Sequence, residues 1–306
     1  MLAQGEYNIN YVFTHPVTGK KLLLRVNCGS QMHLEHQIEY EAHTLKLMEG
    51  SGRTPKVLYV DGSKKILDHG VLVMEYLPGH AMDYHTELML AAPCLADIHS
   101  VPIPESEEVL IHPQNPLKAI LKECEEMFKV YLESPLGDEE KKIYIRELLD
   151  LGWKREAETR LESGYQCCIN TELNSTNFLI NGEGKSNYLI DWEKPLFGNP
   201  AQDLGHFLAP TTTFWKTDVI LTSEEIEKFI DAYIKAVRNR FKTDMIREHT
   251  HAFIPITCLR GITWCAMAWV QYQQPDKLIF NESTFKKLNA YLDMDFLKNI
   301  RGYLEP

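Results

Sequence analysis

The sequence predicts an α+β protein with a small β-rich first part and a larger, mostly helical remainder. Three observations carry this. Residues 1–78 hold short β-patterned runs and a single helical period, whereas from Asp83 onward apolar residues recur at helical spacing. That helical remainder is interrupted once, by two short apolar runs that read as a hairpin. The expected division falls at Pro78-Gly79, a break after a buried strand, giving parts 1–78 and 79–306.

Taken in order, Tyr11–Phe13, the turn signal His15–Gly19 and Leu22–Val26 form a hairpin, preceded by a small polar loop around Gly5. A lone glycine there reads, on its own, as a plain turn rather than as a phosphate loop. Arg25 lies between Leu24 and Val26, so its guanidinium either points to solvent on an edge or serves a partner anion. Leu34, Ile38, Leu45 and Met48 place a helix over 34–49, ended by Gly50-Ser51-Gly52. Glu41 falls on its apolar side and either sits at the stripe's edge in water or pairs with a base, Arg25 being the candidate. Strands are expected at Lys56–Val60 and Val71–Tyr76, the second closing in Glu75-Tyr76-Leu77-Pro78-Gly79. Helices follow over 83–100, 116–131, 138–162, 223–240, 244–271 and 284–301. No internal repeat, low-complexity tract or heptad pattern appears.

The net charge of −11 argues against a nucleic-acid partner, which needs a basic face. It suits a cationic substrate and equally the ordinary need for solubility. Seven cysteines without paired metal-ligand spacing read as reduced thiols. The start of the chain shows no signal-peptide pattern, and no apolar run approaches the ~18 residues of a membrane span. The expectation is a soluble, cytoplasmic protein. His33 with His36, and His249 with His251, lack the spacing of a helical zinc site and read as surface residues. Neither a Gly-x-Ser-x-Gly elbow nor a dinucleotide fingerprint is present.

The most informative stretch is Cys167–Asp203. Phe178–Ile180 and Tyr188–Ile190 flank the turn Asn181–Asn187, and the hairpin register would bring Asn177 and Asp191 to one end. Two oxygen-bearing side chains so placed suit Mg²⁺ on a phosphate.

With these residues in view, the chain resembles the aminoglycoside phosphotransferase and choline kinase family, small-molecule kinases of the bilobal protein-kinase-like fold. The resemblance runs along nearly the whole chain, in order: Leu22–Val26, Glu41, Glu75–Gly79, Leu95–His99, Asn170–Asn177, Ile190–Glu193 and Asn199–Leu204. It implies an ATP-dependent phosphotransferase acting on a hydroxyl of a small, cationic molecule, an amino alcohol such as choline or ethanolamine or an aminoglycoside-like compound. It implies Arg25 on the nucleotide phosphates with Glu41 fixing it, Gly5 in the phosphate loop, and the Glu75 and Leu77 backbone on adenine. Asn177 and Asp191 would hold Mg²⁺, Glu172 would be the catalytic base, and Asp203 a supporting residue. An aromatic helix carrying Trp264 and Trp269 would help to enclose a cationic acceptor; core packing accounts for the same two residues.

The chain departs from the pattern His-x-Asp followed by Asn five residues later. Asn170 stands at the His position and Glu172 at the Asp position, which lengthens the carboxylate arm by one methylene. Arg25 stands where lysine is common, and the lead-in before the first strand is short. The alternative is therefore a pseudokinase, a nucleotide-binding or scaffolding protein with weak or no transfer.

Overall fold

The computed structural model describes residues 2–5, 7–30, 32–161, 164–274 and 281–305. It is α+β, with a small antiparallel sheet near the N-terminus and mostly helices after it. Two compact units emerge: Met1–His112, Tyr165–Asp203 and Glu227–Thr243 form the first, and Pro113–Gly164, Leu204–Ile226 and Asp244–Pro306 the second.

In the first unit, strands β1 (Ala3–Gln4), β2 (Asn8–Thr14), β3 (Lys21–Asn27), β4 (Val57–Asp61) and β5 (Gly70–Glu75) make one antiparallel sheet in the order β1-β2-β3-β5-β4. The β2–β3 hairpin turns through His15–Lys20, with Gly19 in the left-handed region at φ 67°. Its register sets Asn10 opposite Arg25 and Asn8 opposite Asn27, so one face of this hairpin is polar although its strand pattern is apolar. Helix α1 (Gln37–Met48) buries Ile38, Leu45 and Met48, the period read from sequence, and passes through a short 3₁₀ turn into Gly52 at φ 64°.

After β5 the chain runs extended to Gly79, whose φ of 134° and close approach to the Leu179 backbone exclude a side chain. Strand β6 (His80–Ala81) then pairs with β8 (Phe178–Ile180), and β8 pairs with β9 (Tyr188–Leu189). Helix α2 (Tyr84–His99) starts at an Asp83 cap, whose carboxylate accepts the His85 amide at 2.7 Å. The pair β7 (Cys167–Ile169) and β10 (Leu196–Gly198) completes this part of the unit. Its contacts are long-range, so no local sequence pattern announces it. Helices α5 (Pro200–Leu208) and α6 (Pro210–Thr217), which from Leu204 on belong to the second unit, each begin on a proline, a residue suited to the first turn. Helix α7 (Ser223–Val237) follows.

The second unit is helical. Helices α3 (Pro116–Glu133) and α4 (Glu139–Glu158) open on the caps Asn115 and Asp138 and pack with α8 (Ile246–Tyr272). At Gly261 a Cβ would come within 2.5 Å of Thr211, so the absence of a side chain lets α6 and α8 approach. By length and composition α8 could cross a membrane, contrary to the expectation of no such run, but 72% of its apolar window is buried against neighbouring helices. The expected single helix over 284–301 is two, α9 (Glu282–Tyr291) and α10 (Met294–Leu304), because Asp293 caps the second one by accepting the Asp295 amide. His249 is buried rather than at the surface. All seven cysteines are free thiols, six of them buried.

Glu125 joins α3 to α4, accepting both Arg146 terminal nitrogens (2.9 and 2.5 Å) and Trp153 Nε1 (2.9 Å). The Arg146 bond, and after it Trp153 against partial burial, holds the carboxyl below the ordinary glutamate value. Its contribution is complete above that value and is lost as pH falls through the lower folded one. Glu125→Gln is expected to cost about 0.5–1 kcal/mol near neutral pH. That difference should vanish in acid, measured as denaturant curves that converge as pH drops.

Candidate active site

The site is built on the stretch 170–177 and the β8–β9 hairpin, all within the first unit. Asn174 caps the 3₁₀ turn Ser175–Asn177 by accepting the Thr176 amide at 2.9 Å. The hairpin turn is closed by Asn187 Oδ1, which accepts the Asn181 and Gly182 amides. Phe178 faces Leu189 in the ladder, and the Ile190 amide bonds to the Asn177 carbonyl at 2.9 Å. This register brings Asn177 and Asp191 to one end of the hairpin.

Asn177 donates Nδ2 to the Glu172 carbonyl at 3.0 Å, which leaves its Oδ1 as the atom able to bind a cation. Asp191 has a left-handed φ of 66°, and its side chain is 38% exposed. Between them, the Asn170 side chain ties the two segments together. Its Nδ2 donates to the Asp191 carbonyl at 2.8 Å, and its Oδ1 accepts the Glu172 amide at 3.1 Å. The Glu172 backbone is thereby pinned at both ends, since its carbonyl also accepts Asn174 Nδ2. Its side chain is half-buried. Trp192, next to Asp191, is part of the core and donates Nε1 to the Leu189 carbonyl.

Arg25 is buried, 7% exposed, and meets three carboxylates: Glu41 at 2.6 Å, Asp191 at 3.1 Å and Glu193 at 3.6 Å, all through Nη1. Its Nε donates to Asn10 Oδ1 at 3.1 Å. Nη2 is engaged by none of the described residues and is the edge that would meet a phosphate. Glu41 is 1% exposed, so the reading of it in water at the stripe's edge is overturned: Arg25 lies across from it. Burial raises the Glu41 carboxyl above its ordinary value and Arg25 opposes that rise; one oxygen, Oε2, is buried without a hydrogen-bond partner. Arg25 is itself held charged: burial opposes its charge, and Glu41, Asp191 and Glu193 more than offset it.

Glu193 was not singled out from sequence, yet it belongs to this group. Its Oε1 accepts Asn8 Nδ2 at 2.5 Å, and its carbonyl accepts Gln37 Nε2 at 2.7 Å. Burial first, then Asp191, pushes its carboxyl up to about 8, with Arg25 opposing. Asn27 donates to Asn8 Oδ1, so Asn8, Asn10 and Asn27 form a polar strip along β2 and β3 that leads to the site. The alternation of Asn8 and Asn10 in a strand was the available signal.

With the Glu193 carboxyl pushed up to about 8, the surplus negative charge around the single guanidinium rests on Glu41 and Asp191, and Asn177 and Asp191 offer hard oxygen donors. Both features fit Mg²⁺. No three His, Cys, Asp or Glu among the described residues converge to hold a metal by themselves. Phosphate oxygens would have to complete its shell.

The remaining expected residues are placed as follows. Gly5 is exposed in the tight β1–β2 turn, its amide bonded to the Asn8 carbonyl, and a Cβ there would make only ordinary contact. Glu75 ends β5 opposite Leu22. Leu77 is buried, and its backbone N–H and C=O pair with no other backbone group among the described residues. Trp264 and Trp269 belong to the second unit and are half-buried rather than core. Trp215 meets Trp264 edge-on at 5.3 Å, whereas Trp269 is taken up by Tyr131 at 5.9 Å and by a bond from Nε1 to Asn289.

A search of the curated protein sequences finds no match for this chain. Among solved structures it is similar to the Plasmodium vivax ethanolamine kinase, with 16% identity, a TM-score of 0.64, and coverage of 97% of this chain and 83% of that one. It is also similar to a microcompartment-associated aminopropanol kinase, at 14% identity and TM-score 0.67 over 98% and 90% of the two chains. A third, a spectinomycin phosphotransferase in complex with ADP and spectinomycin, is 15% identical with TM-score 0.64 over 99% and 92%. At these identities the likeness shows the protein-kinase-like fold. The model of the phosphotransferase enzyme family matches residues 2–245, and the chain belongs to that family.

Proposed function

We propose that the protein is an ATP- and Mg²⁺-dependent kinase that phosphorylates a hydroxyl of a small, amine-bearing molecule. The observation that carries this is the convergence of Arg25, Glu41, Asp191 and Glu193 beside Asn177, a group that no packing need explains. In this reading Arg25 Nη2 binds the nucleotide phosphates and Glu41 fixes the guanidinium. Asp191 and Asn177 hold Mg²⁺, which when bound neutralises charge on the phosphates. Glu75 and Leu77 lend backbone groups to adenine. Glu172 takes the proton of the acceptor hydroxyl as its oxygen bonds to the γ-phosphorus, the bond to the β-phosphate oxygen breaks, and ADP leaves.

An amine in the acceptor is supported by the net charge of −11. The ethanolamine and aminopropanol kinases are named for such acceptors, and the family gives the reaction class. With seven free cysteines, the protein is proposed to work in a reducing, cytoplasmic setting on a small molecule rather than on nucleic acid. The pseudokinase reading is favoured by one observation, the longer arm of Glu172. Against it stands Asn170, which reproduces the loop's support. The test is Mg²⁺-dependent ADP release over a panel of amino alcohols and aminoglycosides. Acceptor-dependent release is expected; failure of Mg-ATP to bind at millimolar concentration would overturn the proposal.

A further inference from the structure

We propose that Tyr233 is a positioning residue: through His99 and Asp203 it holds Thr171 in a left-handed conformation and so sets where Glu172 presents its carboxylate. This rests on reading 170–177 as the catalytic loop. All five residues belong to the first unit, and His99, Asp203 and Tyr233 are fully buried.

Asp203 is the centre of the chain of bonds. Its Oδ1 accepts the Thr171 amide at 2.7 Å, and its Oδ2 accepts the Asn170 amide at 2.8 Å and lies 3.1 Å from His99 Nε2. A carboxylate accepting two amides can only accept from the imidazole as well, so Nε2 carries the proton. His99 Nδ1 lies 2.8 Å from the Tyr233 hydroxyl and, in the neutral ring, accepts from it. Burial keeps the phenol far above its ordinary value, so it retains the proton it donates. With a neutral His99 ring the relay has one direction: Tyr233 donates to His99, His99 donates to Asp203, and Asp203 accepts the two backbone amides of the loop. The His99 backbone is also held, since Tyr165 donates its hydroxyl to the His99 carbonyl at 2.9 Å and stacks on Phe241 at 4.0 Å.

What the relay holds is a strained position. Thr171 has φ 68°, a region that β-branched residues avoid. Two bonds keep it there, its amide on Asp203 and its hydroxyl on the Lys194 carbonyl at 2.6 Å. Glu172 is the next residue, so any relaxation of Thr171 swings the Glu172 carboxylate. Without the Tyr233 hydroxyl, Nδ1 is left in a buried site with no donor and the imidazole loses the bond that fixes its orientation. The Nε2–H to Asp203 bond then loses its alignment, and the Asp203 grip on the loop slackens.

The experiment compares Tyr233→Phe, Thr171→Gly and the double variant with the wild type, by amide hydrogen exchange at Asn170 and Thr171 in the free protein and by steady-state kinetics. Glycine adopts positive φ without strain. Tyr233→Phe is expected to speed exchange at both amides and to lower kcat by about five- to tenfold, the size of one buried hydrogen bond, with KM for Mg-ATP unchanged. The double variant is expected to match Thr171→Gly in kcat, which a general loss of packing would not produce. Wild-type exchange in Tyr233→Phe, or a double variant as slow as Tyr233→Phe, overturns the proposal. Exchange needs no turnover, so it decides the matter even if the wild type proves to phosphorylate nothing.

Discussion

Asp191→Asn is expected to lower phosphotransfer by about 100- to 1,000-fold while leaving the fold intact. The side chain is partly exposed and contributes no buried core, so its loss costs little stability. It is also one of three carboxylates around a single guanidinium, so removing its charge relieves crowding there. In the proposed reading the metal, by contrast, would lose one of its two protein ligands. The check is paired: turnover and Mg²⁺-dependent nucleotide affinity should fall together, while the thermal midpoint stays level or rises. A variant that folds poorly would point to a structural role for Asp191 instead.

The second large effect is on stability. Arg25→Met should destabilise the protein by about 3–5 kcal/mol, because it leaves buried Glu41 facing Asp191 and Glu193 with no cation. For a chain of this size that is a fall of roughly 10 °C in Tm. Arg25→Met with Glu41→Leu should recover much of the loss, since removing both charges of a buried pair costs far less than orphaning one. Thermal unfolding of the two variants checks this. Equal destabilisation in the single and double variants would show that Arg25 acts by packing alone.

Much of this site could be read from the residues because its parts are local. Glu41 falls on the apolar stripe of its helix, and Arg25 interrupts an apolar strand; each needed a partner, and the fold makes them each other's. The hairpin that aligns Asn177 with Asp191 is set by a turn written in Asn181, Gly182 and Asn187. What escaped notice depends on contacts distant in the chain. Glu193 has no partner written in its own stretch of chain; Asn8, which bonds it, lies 185 positions away. The β7–β10 pair spans three residues on each side and carries no period. His99 was placed at a helix end by its pattern, but its role comes from Asp203 and Tyr233, more than 100 positions away. Helices α9 and α10 were merged because their apolar phase continues across the break that Asp293 makes.

Asn170 and Glu172 were read as departures, and the structure makes them unequal. Asn170 keeps both supporting bonds, one to the Asp191 carbonyl and one from the Glu172 amide. The open question of chemistry is thus confined to one carboxylate on a pinned backbone. The decisive measurement is ADP release by wild type and Glu172→Gln across the same acceptor panel, with Mg-ATP affinity measured in parallel. Equal nucleotide affinity and at least about 100-fold slower release by the variant is the predicted result. Mg-ATP binding in both, with no acceptor turned over in a way that depends on Glu172, would contradict it.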